Sequence, residues 1–357
     1  MSRVLALVLL AGCSATSGGG VAPDHSALVA ADAEAYRSFP DALDALATAR
    51  LPTDDFGLIG RNRTWGAMYS PRFQLGAGAA LRVALASGHP APARRAFRAV
   101  EAGAEVVRAD GSVPSRLPPE IGGTPSAADQ ASGAAFFLGD ACLGLLALDA
   151  SGTADAVASH DRREAVADAL GRAVAWLLSQ EGVLLGADRL APNRLLFNAR
   201  AFQACGALAE DSARAAAAEA AGRFIEAALA LHRPDGVFVE GGGHDTSYQG
   251  VAVRVGEDVL LAEYPDADGR LRSALGAGAG WLAGRVDPNG VVDSSGNTRT
   301  CAGGETVFGE PKRIAIADVF AGLAYAGVRT GDDAVLDAAA RVARWARENA
   351  GAGPCAP

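Results

Sequence analysis

Pro234-Asp235-Gly236-Val237-Phe238 and Pro288-Asn289-Gly290-Val291-Val292 are two copies of one punctuation mark, and each follows a stretch whose apolar residues recur at helical spacing. Looser copies stand at Ala109-Asp110-Gly111-Ser112-Val113 and Gln180-Glu181-Gly182-Val183-Leu184. The four glycines lie 71, 54 and 54 residues apart, and two equal intervals of that size indicate stacked supersecondary units with an insertion in the first. A glycine behind Asp, Glu or Asn accepts positive φ at a helix end or tight turn. Each mark therefore reads as the place where one helix stops and a loop begins.

Before the last three marks lie helices with one apolar stripe: 163–179 with Trp176, 214–231 with Phe224, and 271–286 with Trp281. After each mark comes a polar loop and then a helix apolar nearly all round, at 128–148, 194–208, 247–261 and 314–326. A helix without a polar face belongs inside. Half-wet outer helices alternating with buried inner ones predict an all-α chain, arranged as an α/α toroid of five to six helical hairpins. A superhelical array open at its ends satisfies the same alternation. In a toroid the loops 112–127, 183–193, 237–246 and 291–313 emerge at one rim, where long loops place function.

Composition bounds the rest. Half of the 357 residues are hydrophobic, and the net charge of -9 offers no basic footprint, so no nucleic-acid partner is expected. Lys312 is the only lysine among 32 Lys and Arg, a bias that genome composition accounts for. Arg3, the apolar run 4–10 and Leu10-Ala11-Gly12-Cys13 read as a signal peptide over residues 1–12. The last tetrapeptide resembles the bacterial lipobox, which implies lipid on Cys13, a membrane partner through that lipid, and a place in the bacterial cell envelope outside the cytoplasm. Residues 13–27 then form a flexible tether and 28–357 a single domain, because no long linker interrupts 30–350. No later stretch has about 18 uninterrupted apolar residues. Cys142, Cys205, Cys301 and Cys355 allow three pairings, with Cys142–Cys205 and Cys301–Cys355 the one preferred here and buried thiols the alternative for the first. Neither CxxC nor HExxH occurs, so no metal and no cofactor is expected.

One rim segment carries a sharper signal. Asp235-Gly236-Val237-Phe238-Val239, then His244 and Tyr248-Gln249-Gly250, resembles the Asp-Gly-x-aromatic segment of the hyaluronate and chondroitin lyases, helical toroids in which a histidine and Tyr-x-Gly follow. The resemblance implies a lyase, with Asn193 matching the family's asparagine on the preceding inner helix. The chain departs from the family at Ala252, where the pattern has a second tyrosine, and in the glycines 241–243 that displace His244.

The chemistry follows from the residue types. Eliminating a 4-linked sugar from a uronate needs the C5 carboxylate neutralised, a base at C5 and an acid at the leaving oxygen. A histidine can move a proton near neutral pH, a tyrosine acts once its phenol is electrostatically depressed, and an asparagine binds the carboxylate, so His244, Tyr248 and Asn193 are the candidate catalytic residues. Arg194, Asp245, Gln249, Asn297, Arg299, Glu305, Lys312 and Arg313 surround them as candidate substrate-binding groups, whose cations attract an anionic polysaccharide or oligosaccharide. Two other readings stay open. A glycoside hydrolase would pair carboxylates from Asp235, Glu240, Asp245, Asp293 and Glu305. A non-catalytic glycan-binding lipoprotein would use rim aromatics, chiefly Tyr69, Phe238, Tyr248 and Phe308.

Overall fold

The computed structural model describes residues 25–43, 53–121, 123–307, 309–349 and 355. The signal peptide, Cys13 and all of the tether before His25 lie outside the described residues. The tether's last two positions do not: α1 (Ser26–Ser38) already begins there.

The chain is mostly helical, with a single two-residue ladder of β1 (Thr306–Val307) and β2 (Glu310–Pro311) among the described residues. After α1 and the short α2 (Gly60–Trp65) come α3 (Ala77–Ala86), α4 (Pro90–Ala104), α5 (Ala127–Ala150), α6 (Ala154–Val157) and α7 (His160–Ser179). Next are α8 (Glu181–Asp188), α9 (Pro192–Gly206), α10 (Asp211–Leu229), α11 (Thr246–Leu261), α12 (Arg270–Ala283), α13 (Ile316–Thr330) and α14 (Asp333–Glu348). Helices α3/α4, α5/α7, α9/α10, α11/α12 and α13/α14 pack as hairpins. Their first members touch in chain order, α3 on α5, α5 on α9, α9 on α11 and α11 on α13, and α1 touches α3, α5, α11 and α13. The second members touch in the same order. Helix α5 is long and apolar enough to cross a membrane, but the whole of its apolar window is enclosed by protein.

The marks are real turns in three of four cases. Gly111, Gly236 and Gly290 have φ of 79°, 94° and 84°. Each sits where a Cβ would lie 2.1–2.4 Å from a carbonyl of the following outer helix, that of Arg172, Ala277 or Arg341, and beside the Cβ of Trp176, Trp281 or Trp345. The preceding Asp287 or Asp110 or Asp235 closes the turn by accepting from backbone N–H groups two to four residues on. Gly182 behaves differently: it lies inside α8, so the supposed loop 183–193 is largely helical. Glu181 is one methylene longer than Asp, and its carboxylate reaches outward to take both prongs of Arg223 rather than folding onto its own backbone. A further copy stands at Asp54-Asp55-Phe56-Gly57, where Gly57 (φ 80°) meets the carbonyl of Arg98 on α4 in the same way.

Inner helices are not wholly apolar. Arg82 on α3 donates to Asp32 of α1 and, at 2.7 Å, to Asp258 of α11, while Arg200 of α9 reaches the other oxygen of Asp258 at 2.7 Å. Tyr325 of α13 donates to Asp32 at 2.8 Å, and Arg254 of α11 pairs with Asp318 of α13. Arg200 is fully buried, and Arg82, Asp32 and Asp258 are nearly so. Burial opposes the Asp258 charge, but Arg82, Arg200 and Arg254 outweigh it and hold the carboxyl down to about 2. Disulfides join Cys142 to Cys205, tying α5 to α9, and Cys301 to Cys355, tying loop 291–313 to the C-terminal segment.

Two stability outcomes follow. Gly236→Ala, facing the Ala277 carbonyl at positive φ, is expected to lose about 2 kcal/mol or more in chemical denaturation, whereas helical Gly182→Ala gains up to about 1 kcal/mol. Asp258→Asn takes the carboxylate partner from fully buried Arg200, while Arg82 keeps Asp32, and should cost about 3–5 kcal/mol near neutral pH. Because the folded pKa is depressed, the ionised carboxylate stabilises above its ordinary 3.8 and this contribution is lost as pH falls through about 2. The deficit of the variant therefore narrows on acidification across that window; a deficit independent of pH would remove Asp258 from the ionic network.

Candidate functional site

The N-terminal ends of α9 and α11, the 3-10 turn Pro71–Gln74 and the end of loop 291–313 surround a cavity of about 450 Å³, a size suited to a small ligand or a few sugar units. Arg72, Asn193, Arg194, Tyr248, Lys312 and Arg313 stand in its upper wall; Arg82, Arg254, Asp258 and Tyr325 of the ionic network form its deeper part. Phe136 and Phe197, stacked 4.0 Å apart, give one side an apolar face, and Arg72 lies over Phe136.

Tyr248 sits in the first turn of α11 because Asp245 caps that helix, accepting from Ser247 and Tyr248 N–H at 3.1 Å. The same carboxylate accepts from Arg299 and Thr300 N–H, which pins loop 291–313 against the helix start. Asn297 fastens the loop again by accepting from the Thr246 N–H and donating to Thr300. Gln249 points the other way, accepting from Phe238 N–H and donating to the carbonyls of Gly236 and Gly278. Asp245, Asn297 and Gln249 thus build the rim from within instead of facing the cavity.

The tyrosine hydroxyl is the centre of a charged cluster. It donates to Glu305 at 3.1 Å and accepts from the Lys312 ammonium, which lies 3.2 Å from the same carboxylate. Arg299 stacks 4.5 Å from the ring, donates to Glu305 at 2.6 Å and pairs with Glu240. Burial raises the Glu240 pKa in spite of that partner. Burial also lowers Lys312, aided by the charges of Arg72 and Arg194, to about 8; Arg72 is lowered by burial and then by Arg194. Cations that depress one another in a shared cavity are stabilised by an incoming anion.

The structure brings together Asn193, Arg194, Tyr248, Lys312 and Arg313, and sets His244 apart. Helix α11 starts at Thr246, so His244 precedes it and shares no helical face with Tyr248. Its ring is tilted on Trp281, and its Nε2 lies 2.8 Å from Arg285 and 3.1 Å from the Ser295 carbonyl. At the start of α9 Ala191 holds the N-cap position and Pro192 opens the helix, and the buried Asn193 amide oxygen has no hydrogen-bond partner among the described residues. Of the five carboxylates proposed for a hydrolase, none stands in the cavity wall. Glu240, Glu305 and Asp293 are engaged by arginines, Asp245 by the cap, and Asp235 by the exposed turn. Among the proposed aromatics Phe238 is core and Phe308 lies outside the described residues.

Arg72, Arg82, Asp258 and Tyr325 escaped the sequence reading. Charges in the middle of otherwise apolar inner helices were the available signal for Arg82 and Asp258, since such a residue must face a partner or a cavity. No cluster of three or more metal-ligating side chains occurs among the described residues. No family model, curated protein or solved structure matches the chain.

Proposed function

We propose that the hairpins close as an α/α toroid and that its mouth acts on an anionic polysaccharide, as a lyase cleaving uronate-containing glycan by β-elimination. Closure is supported by α1, which touches both α3 and α13 and sets Asp32 between Arg82 and Tyr325. The likeness of the Asp235 to Gly250 segment to hyaluronate and chondroitin lyases supports the chemistry. Export as an envelope lipoprotein anchored through Cys13 is proposed with it, and two disulfides suit an oxidising compartment.

One observation carries the reading: the Tyr248 phenol, the unpartnered amide oxygen of Asn193 and the cations Arg72, Arg194 and Arg313 line one cavity. In an elimination the guanidiniums bind the C5 carboxylate and offset the charge that develops on it, as an oxyanion hole does. The Asn193 oxygen accepts from the sugar. Tyr248 is placed to take the proton at C5. Lys312 and Arg313 extend the positive field toward the rim and draw in a polyanion despite the net charge of -9.

Incubating the purified protein with a panel of uronate polymers, and following ultraviolet absorbance of the unsaturated product, tests the reaction. New absorbance is expected; reducing ends without it would indicate hydrolysis, and binding with neither a receptor. In an active preparation Tyr248→Phe should lose about a hundredfold in rate, while His244→Ala, outside the cavity, stays near wild type. Full activity of Tyr248→Phe would discard the proposed chemistry.

A further inference from the structure

Thirty-two positions in this chain are Lys or Arg, and only Lys312 is lysine. Composition bias accounts for the arginines but not for the exception. The exception stands in the cavity wall, with its Nζ against the Tyr248 hydroxyl and 4.5 Å from the ring centre. A guanidinium at this place would supply the same charge and more hydrogen bonds, but it stays protonated at any physiological pH. What lysine offers in its place is a nitrogen that can be neutral.

We infer that Lys312 is the group that takes the phenolic proton of Tyr248 and delivers a proton to the leaving oxygen, a role that rests on the elimination proposed above. The step balances without a co-reactant. The neutral amine accepts the phenolic proton; the phenolate then removes the proton at C5 and becomes phenol again. The C5–H electron pair forms the C4–C5 double bond as the C4–O bond breaks, and the ammonium protonates the departing oxygen. Both side chains end as they began.

The surroundings favour this use. Lys312 is half-buried and faces Tyr248 and Asp245 at the start of α11, Glu305 and Arg299 of its own loop, Glu240, Arg72 and Arg194, with Arg313 adjacent. Glu305 is engaged by two nitrogens of Arg299 and also meets the phenol and the amine, so Tyr248, Lys312 and Glu305 form one hydrogen-bonded group in which the amine lies directly against the phenolic oxygen. Desolvation and the charges of Arg72 and Arg194 bring its ionisation down to about 8, so an appreciable neutral fraction exists at mildly alkaline pH.

Because the chain holds one ε-amine, ordinary amine chemistry reports on it alone once the labelled peptide is mapped. Trinitrobenzenesulfonate labelling of the full chain across neutral to alkaline pH is expected to give a midpoint near 8, against about 10.4 for a free lysine. Product formation from the best uronate polymer should rise through the same midpoint, and Lys312→Arg should lose about a hundredfold in rate while keeping its fold by circular dichroism and its retention on the polymer. Product formed by a wild type whose lysine titrates normally, or by a fully active Lys312→Arg, overturns the role of Lys312 and leaves the lyase reading intact. Absence of product from every polymer overturns both.

Discussion

A guanidinium carried wholly out of water must be met by a carboxylate, and the described helices are organised round that requirement. Arg200 and Arg82 come from different inner helices and converge on the two oxygens of Asp258, while Arg82 also holds Asp32. Desolvating several charges is expensive, and an apolar cluster of equal volume could be as stable. What the ionic arrangement adds is definition. Alanine-rich helices present shallow, repetitive surfaces that slide past one another at little cost, whereas a two-oxygen, two-guanidinium contact fixes which turn of α11 faces which turn of α3 and α9. The same contact sets the depth of the cavity, since Asp258 and Arg82 close it from below.

With the inner helices fixed, the turn glycines determine how their loops leave. At Gly57, Gly111, Gly236 and Gly290 the chain passes so close to an outer-helix carbonyl that no side chain fits, which fixes the point at which each loop leaves. Asp245 then performs two tasks with one carboxylate: it starts α11 and binds the backbone of residues 299 and 300. Tyr248 and the 299–313 segment are therefore positioned by a common anchor. A shift in that anchor would move Tyr248, Arg299, Glu305 and Lys312 together, preserving their mutual contacts.

Helix boundaries were largely legible because periodicity and glycine punctuation are local. Helices anticipated at 128–148 and 247–261 are observed as Ala127–Ala150 and Thr246–Leu261. The failure at Gly182 is also local in cause: glutamate cannot make the short side-chain turn that aspartate makes, so the chain continues as helix. The site was less legible. Tyr248, Asn193, Arg194 and Lys312 share the cavity as their rim positions suggested, but His244 and Gln249 belong to loop construction, since sequence spacing cannot reveal on which side of a loop a ring will settle. Arg72 was invisible because its contribution depends on a contact with Phe136 and a neighbour, Arg194, more than a hundred residues away.

Charge distribution connects the ionic floor to the mouth. Deep in the cavity each guanidinium has a carboxylate, so the floor is nearly neutral to an entering ligand. Near the mouth Arg72, Arg194, Lys312 and Arg313 line the wall, while the acids that meet them lie outside the lining, Asp188 paired with Arg194 and Glu305 shared between Arg299 and Lys312. In a chain of net charge -9 the field of these cations is opposed by the long-range potential, which salt screens within about 10 Å, so their effect is confined to short range. That field also explains why the one titratable cation sits where it does: among guanidiniums that cannot lose a proton, the repulsion they create falls on the single amine that can.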